Sequence, residues 1–129
     1  MLYIGLMSGT SLDGIDAALV EIDQQGMPHL LASHYQSYDR ALQAKLFNLS
    51  QAVEVKLEDL AAFDHQLGRL YAHCCLTLLK KHNYQACDIQ AIGCHGQTIR
   101  HKPRPNAFSM QIGDANIVAE LTGITTVAD

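Results

Sequence analysis

The sequence lacks the features that mark membrane-spanning, secreted and nucleic-acid-binding proteins. No run of apolar residues reaches the about 18 needed to cross a bilayer. The N-terminus has no basic region followed by a long apolar stretch, so no secretory signal is visible. The nine Lys and Arg residues form no dense patch, and the formal net charge is -4. A nucleic acid or an anionic membrane is therefore not expected as a partner, and we expect a cytoplasmic protein.

Tryptophan is absent, and the four cysteines provide no framework for disulfides or zinc. Cys74 and Cys75 are adjacent, Cys87 and Cys94 stand alone, and no C-x-x-C pair occurs. We interpret them as reduced thiols, with Cys74 or Cys75 packed on a helix as a small hydrophobic residue. Five scattered histidines without metal-ligand spacing are interpreted as structural: His29, His34, His65, His73 and His82.

The residues that are present can form one hydrophobic core. The chain has 129 residues, of which 48% are hydrophobic and 17% charged. This size is typical of a single domain or of one lobe of a larger one. No internal repeat, low-complexity segment or linker divides the chain.

Apolar runs separated by polar turns predict three strands at the start of the chain. The predicted strands cover residues 2–7, 15–22 and 29–38. Two hairpins in a row give a three-stranded antiparallel meander. The almost unbroken apolar character of residues 15–22, and of a last strand at 124–128, predicts strands that are buried on both faces in a complete domain. In this chain we expect one of those faces to be uncovered.

From residue 40 the apolar spacing becomes helical. Apolar residues at steps of three and four predict a helix over residues 57–82, and a shorter helix precedes it at 41–49. The remaining predicted elements are a strand at 89–94, an extended piece at 108–112, a helix at 115–121 and the strand at 124–128. We therefore expect an α/β protein with the order βββαβαβ, which matches half of a ribonuclease-H-like structure with a mixed sheet covered by helices.

The segment that carries chemistry lies between the first two predicted strands. A phosphate-binding hairpin needs inward backbone N–H groups, glycines where φ is positive, and short hydroxyl side chains. Gly9 and Gly14 are predicted to supply the glycines, and Ser8, Thr10 and Ser11 the hydroxyl side chains. No Walker or Rossmann glycine motif occurs. The alternative is an ordinary polar hairpin with Asp-Gly turn chemistry.

Two carboxylates accompany this hairpin. Asp13 and Asp16 would repel a phosphate, so Mg²⁺ or its water shell is the natural mediator between them and a phosphate group. They are the candidate metal ligands of the chain.

The string Gly-Leu-Met-Ser-Gly-Thr-Ser-Leu-Asp-Gly-Ile-Asp at residues 5–16 resembles the opening signature of the anhydro-N-acetylmuramic acid kinase family. That family belongs to the actin, hexokinase and heat-shock ATPase superfamily. Two further blocks agree with it, at residues 93–101 and at 111–116 running into 126–129. The resemblance covers the whole chain but only about the first third of a family member.

The resemblance implies roles for particular residues. The first phosphate loop for ATP would consist of Gly9, Thr10, Ser11, Leu12, Asp13, Gly14, Ile15 and Asp16. The sugar would be contacted by His95, Gln97, Thr98, Asp114 and Asp129. Each sugar-side position has a simpler interpretation: an exposed turn for His95–Thr98, a helix N-cap for Asp114, and the end of the chain for Asp129. The family's catalytic base would lie beyond Asp129, so no catalytic residue is predicted in this chain.

The implied reaction uses ATP and Mg²⁺ to add water across the 1,6-anhydro bond of the sugar and phosphorylate O6, a step in cell-wall murein recycling. A homodimer is a further expectation. Because the chain stops directly after a strand, we expect an incomplete N-terminal ATPase-like domain that is inactive and poorly stable by itself. Two alternatives stay open, another ATP-binding member of the superfamily and a phosphate- or sugar-binding domain without turnover. The D-x-G-x-[ST] hairpin of other members is absent, which argues against the first.

Overall fold

A computed structural model describes residues 1–128 as a mixed α/β structure of six strands and three helices. The strands are β1 (Leu2–Ser8), β2 (Gly14–Ile22), β3 (Pro28–Ser37), β4 (Ile89–Lys102), β5 (Phe108–Ile112) and β6 (Thr126–Ala128). The helices are α1 (Arg40–Gln51), α2 (Leu57–Lys81) and α3 (Ala115–Thr122). The predicted mixed α/β class is confirmed. The observed order is βββααββαβ. The predicted order βββαβαβ is therefore wrong, because it counted the helices at 41–49 and 57–82 as one and did not count the extended piece at 108–112 as a strand.

The six strands form one sheet in the order β3-β2-β1-β4-β5, with β6 also paired to β4. The first three strands are antiparallel, as the predicted meander requires, and β4 runs parallel to both β1 and β6. The strand predicted at residues 89–94 extends to Lys102, because its second half pairs with β5. The residues of that half are largely polar, so no apolar run in the sequence marks them as a strand.

Helix α2 has the predicted bounds to within one residue and packs on one face of the sheet. Glu58 and Asp59 lie in its first turn, and Lys80 and Lys81 in its last, as the helix dipole favours. Helix α1 begins after Asp39, whose carboxylate accepts a hydrogen bond from the Leu42 N–H at 2.7 Å. No helix among residues 1–128 is long and apolar enough to cross a membrane.

The core lies between the helices and one face of the sheet. The side chains of Ile4, Leu19 and Ile92 on the strands, and of Tyr71 and Leu78 on α2, are 0–1% exposed. Burial alternates along β1 and β2, so in the described chain the second face of the sheet is open. Within residues 1–128 the strand at residues 15–22 is therefore covered on one face only.

Candidate phosphate hairpin and strand-end cleft

The loop between β1 and β2 is held by a buried leucine. Leu12 has φ of 57°, its N–H donates to the Gly9 carbonyl at 3.2 Å, and its side chain is 7% exposed. The Asp13 carbonyl accepts from the Tyr38 N–H at 2.8 Å, which ties the far side of the loop to the end of β3. A positive φ is unusual for leucine, and it persists here because the side chain is packed.

The predicted conformational role of the two glycines is wrong, since neither Gly9 nor Gly14 has a positive φ. A Cβ at Gly9 would make only an ordinary contact, 3.5 Å from Ser11 Oγ. A Cβ at Gly14 would lie 2.7 Å from the ring and hydroxyl of Tyr35 on the neighbouring strand. Gly14 therefore serves close packing between β2 and β3.

The hydroxyls of the loop divide into one buried group and two exposed ones. Ser8 is 1% exposed and its Oγ hydrogen-bonds the Tyr71 hydroxyl, so it faces the core rather than a ligand. Thr10 and Ser11 are exposed, and Ser11 Oγ donates to Asp13 Oδ1 at 2.8 Å. The Thr10 hydroxyl and backbone N–H groups of the loop are thus free to donate to an anion, whereas Ser11 Oγ would first have to turn its hydrogen away from Asp13.

Asp13 and Asp16 are both exposed and share Tyr35 as a neighbour. The pKa of the Tyr35 hydroxyl is raised, first by desolvation and then by the negative charges of these two carboxylates. Asp16 pairs with Met7 across the sheet and faces the open side. Within residues 1–128 no group of three or more His, Cys, Asp and Glu side chains could enclose a metal ion. Two exposed carboxylates instead suit a Mg²⁺ ion that keeps most of its waters.

A bulge in β4 decides which way the predicted sugar-side residues face. Leu6 pairs with Cys94 and Ser8 with Gln97, so β4 carries one extra residue over this step. Gly96 has φ of 78° there, and a Cβ on it would lie 2.9 Å from the Ile112 carbonyl. Only glycine fits this position without strain.

His95 projects from the bulge to the open face of the sheet. Its Nδ1 lies 3.2 Å from the Gly96 carbonyl oxygen. With Met7 and Asp16 it lines an open cleft of about 600 Å³, whose floor includes Gly5 and Gly93. Asp16 and His95, predicted on opposite sides of the reaction, therefore border one cleft.

Gln97 lies on the opposite side of the bulge and is 0% exposed. Its Nε2 donates to the Gly9 carbonyl at 3.0 Å and to the Thr98 carbonyl at 3.2 Å. Thr98 is half-buried, and with Thr10 and Arg100 it borders a second cleft of about 340 Å³. Arg100 donates to the Ala52 carbonyl at the end of α1, at 2.5 Å. A basic side chain at this position stabilises the C-terminus of a helix.

Asp114 is the N-cap of α3, as its simpler interpretation predicted. Its Oδ1 accepts from the Asn116 N–H at 2.8 Å, and its Oδ2 lies 3.6 Å from His65 Nδ1. Asp129, the remaining predicted sugar ligand, lies outside the described residues.

Sequence reasoning missed Asp64, whose carboxylate accepts from the Gly113 N–H at 2.7 Å. Asp64, His95 and Asp114 line a third cleft, of about 240 Å³. The only signal in the sequence is an acidic residue within an amphipathic helix, which does not distinguish Asp64 from a solvated residue.

The fold and these clefts define an α/β domain with a polar hairpin at the carboxyl end of β1 and ligand-sized openings beside it. The family model of anhydro-N-acetylmuramic acid kinase matches residues 1–129, so the chain belongs to that family.

Curated relatives carry the same description. The chain is 47% identical to the anhydro-N-acetylmuramic acid kinase of Actinobacillus pleuropneumoniae serotype 7 (strain AP76), over 99% of this chain and 35% of the relative. It is 48% identical to that of Vibrio cholerae serotype O1, with the same coverage. It is 46% identical to that of Pasteurella multocida (strain Pm70), over 100% of this chain and 34% of the relative. The chain thus spans about a third of the length of the curated relatives it matches.

Proposed function

We propose that this chain is the nucleotide-side portion of an ATP-dependent sugar kinase. The complete protein would convert 1,6-anhydro-N-acetylmuramic acid, water and ATP into N-acetylmuramic acid 6-phosphate and ADP, as a cytoplasmic step of cell-wall recycling. The observation that carries the proposal is the hairpin of residues 9–16, which keeps two exposed hydroxyls beside two exposed carboxylates in a chain that matches the kinase family over residues 1–129.

The phosphate side of the proposal uses residues of this hairpin. Backbone N–H groups and the hydroxyls of Thr10 and Ser11 would contact phosphate oxygens of ATP. Asp13 and Asp16 would hold Mg²⁺, directly or through its waters, and the ion would neutralise phosphate charge. Ser11 Oγ donates to Asp13 Oδ1 in the structure, so its hydrogen would turn from that carboxylate to a phosphate oxygen when ATP binds.

The sugar side rests on residues around the bulge. His95 is exposed in the cleft that also contains Asp16, so a sugar bound there would lie within reach of the phosphate side. Thr98 and Asp114 border neighbouring clefts, and they remain proposed sugar contacts together with Asp129. The carboxylate base that activates water would come from the part of the relatives that this chain does not cover.

The ribonuclease-H-like, actin-type assignment is part of the same proposal. An antiparallel β3-β2-β1 meander extended by the parallel strand β4 and covered by helices on one face supports it. A homodimer is expected from the family resemblance, and sedimentation of the full-length protein tests it.

The decisive experiment is a coupled assay on the full-length protein that carries this chain. The anhydro-sugar with ATP and Mg²⁺ should yield the 6-phosphate and one ADP for each sugar consumed, whereas N-acetylglucosamine should yield much less. ATP consumption with another sugar but not with this one would indicate another kinase of the superfamily. Binding of ATP or of the anhydro-sugar without product would indicate a binding domain without turnover.

A further inference from the structure

Four polar side chains are buried directly beneath the phosphate hairpin. Ser8, Tyr71 and Gln97 are 0–1% exposed, and Tyr38 is 7% exposed. Buried polar groups destabilise a fold unless they are hydrogen-bonded, so a cluster of this kind is retained only where its bonds are satisfied. Ser8 comes from β1, Tyr38 from the end of β3, Tyr71 from α2 and Gln97 from β4.

Every polar group of the Gln97 side chain has a partner inside the protein. Nε2 donates to the carbonyls of Gly9 at 3.0 Å and Thr98 at 3.2 Å, and Oε1 accepts from the Tyr38 hydroxyl at 3.3 Å. A primary amide has two N–H donors, and both are used. The amide is enclosed by these contacts and has no free N–H for a ligand.

The Gly9 carbonyl that Gln97 holds is also the one that closes the hairpin turn. It accepts the Leu12 N–H at 3.2 Å, the bond that accompanies the positive φ of Leu12. On the other side of the loop, the buried Ser8 hydroxyl contacts the Tyr71 hydroxyl and the Gly96 carbonyl, the latter at 3.4 Å. The hairpin and the bulge of β4 are thereby joined through side chains as well as through the sheet.

We propose that Gln97 is a positioning residue, which fixes the phosphate hairpin from beneath rather than touching the sugar. The proposal rests on the proposed kinase function. It assigns Gln97 to the nucleotide side, whereas the family resemblance placed it with the sugar. Loss of its amide should loosen the Gly9–Asp13 loop and weaken ATP binding, because a preorganised loop binds without first being ordered.

The first test compares two glutamine variants in the full-length protein. Gln97→Met keeps the length of the side chain but removes its hydrogen bonds, and Gln111→Met is the matched control. Gln111 also bonds a neighbour of Gln97, through Nε2 to Thr98 Oγ1 at 3.2 Å, but makes no hydrogen bond to the hairpin. We expect Gln97→Met to raise the KM for ATP about tenfold, the factor supplied by the one lost hydrogen bond that reaches the hairpin. The KM for the sugar should stay within about twofold in Gln97→Met, and the KM for ATP within about twofold in Gln111→Met.

Tyr38→Phe is a milder version of the same change, because it removes only the donor to Gln97 Oε1. It should raise the KM for ATP less than Gln97→Met does, and it keeps the proposal testable if Gln97→Met fails to fold. A Gln97 or Tyr38 variant that raises the KM for the sugar and leaves the KM for ATP unchanged would overturn the proposal and make Gln97 a sugar ligand.

A second readout does not depend on kinase activity. Hydrogen exchange of peptides covering residues 8–14 should be about tenfold faster in Gln97→Met than in wild type, without ligand. Peptides of β4 around Ile92, whose N–H donates to Thr125 at 2.8 Å, should exchange at the wild-type rate. Unchanged exchange of the hairpin would contradict the positioning role. If the wild-type protein proves to have no kinase activity, the proposed function fails and this measurement still decides the role of Gln97.

Discussion

Gly14 of β2 lies beneath the ring of Tyr35 of β3, so close that a Cβ on the glycine would come within 2.7 Å of the tyrosine Cζ. The same tyrosine hydroxyl has its pKa raised in part by the carboxylates of Asp13 and Asp16. Tyr35 therefore packs against the base of the hairpin and lies close enough to both candidate metal ligands to be affected by their charge. Its sequence context did not indicate this position.

Gly14→Ala should destabilise the protein by about 1–3 kcal/mol, because the added methyl would collide with the backbone carbonyl oxygen of Gln36 and with the ring of Tyr35 on β3. Gly9→Ala is the matched control in the same hairpin, since its Cβ would meet only Ser11 Oγ at 3.5 Å. Thermal or denaturant unfolding of both variants measures the difference. Equal stability of the two would show that β2 and β3 have room for the methyl group.

Asp13→Asn should lower kcat on the order of 100-fold in the full-length protein while leaving its melting temperature nearly unchanged, because an amide holds Mg²⁺ poorly. The control is Asp23→Asn, which alters a carboxylate in the turn at the other end of β2. Titration of Mg²⁺ in the assay should show a raised requirement for the ion only in the Asp13 variant. Wild-type turnover by Asp13→Asn would remove this residue from the metal site.

His95→Ala should raise the KM for the anhydro-sugar more than the KM for ATP. The imidazole is exposed in the open cleft. It lies on the opposite side of the bulge from the Gln97 side chain, which bonds the hairpin. Steady-state kinetics with each substrate varied in turn make the comparison. Loss of ATP affinity with sugar affinity intact would reverse the assignment of the cleft.

Among the four cysteines, Cys87 should be the one alkylated quickly in the native protein at about pH 8. Cys74, Cys75 and Cys94 are buried, and burial raises their thiol pKa values, to about 11 for Cys74 and about 12 for Cys75. Below those values they stay protonated and unreactive, whereas all four should react after denaturation. Mass spectrometry of iodoacetamide adducts measures this, and rapid native labelling of Cys75 would contradict the packing of α2.

The open face of the sheet should bind a hydrophobic dye when this chain is prepared by itself. Met7 is 53% and Val127 62% exposed there, around the bare backbone of Gly5 and Gly93. Val127→Glu should reduce dye fluorescence and self-association, because it places a charge on this apolar surface. Val53→Glu, at an apolar side chain that is 97% exposed beside α1, is the control and should change little. Low dye binding by the unmodified chain would mean that the face is covered.

The residues of the hairpin and the sugar-side turn could be selected from the sequence, but not their orientation. Thr10, Ser11 and Asp13 are exposed in the loop where they were predicted, and Asp114 caps a helix as its context suggested. Ser8 and Gln97 instead face the core, and Asp64 was not singled out. Alternation along β4 cannot predict the direction of Gln97, because the extra residue at Gly96 reverses it.

The elements with local signals could be predicted from the amino-acid sequence: the β1-β2-β3 meander, helix α2 with its charged ends, and the position of the polar hairpin. Periodicity and capping act between neighbours along the chain, so they can be interpreted without knowledge of distant partners. The length of β4, the positive φ of Leu12 and the inward turn of Gln97 become apparent only in the folded structure. They depend on pairing with β5, on packing in the core and on the Gly9 carbonyl, contacts that form only when the sheet and helices assemble.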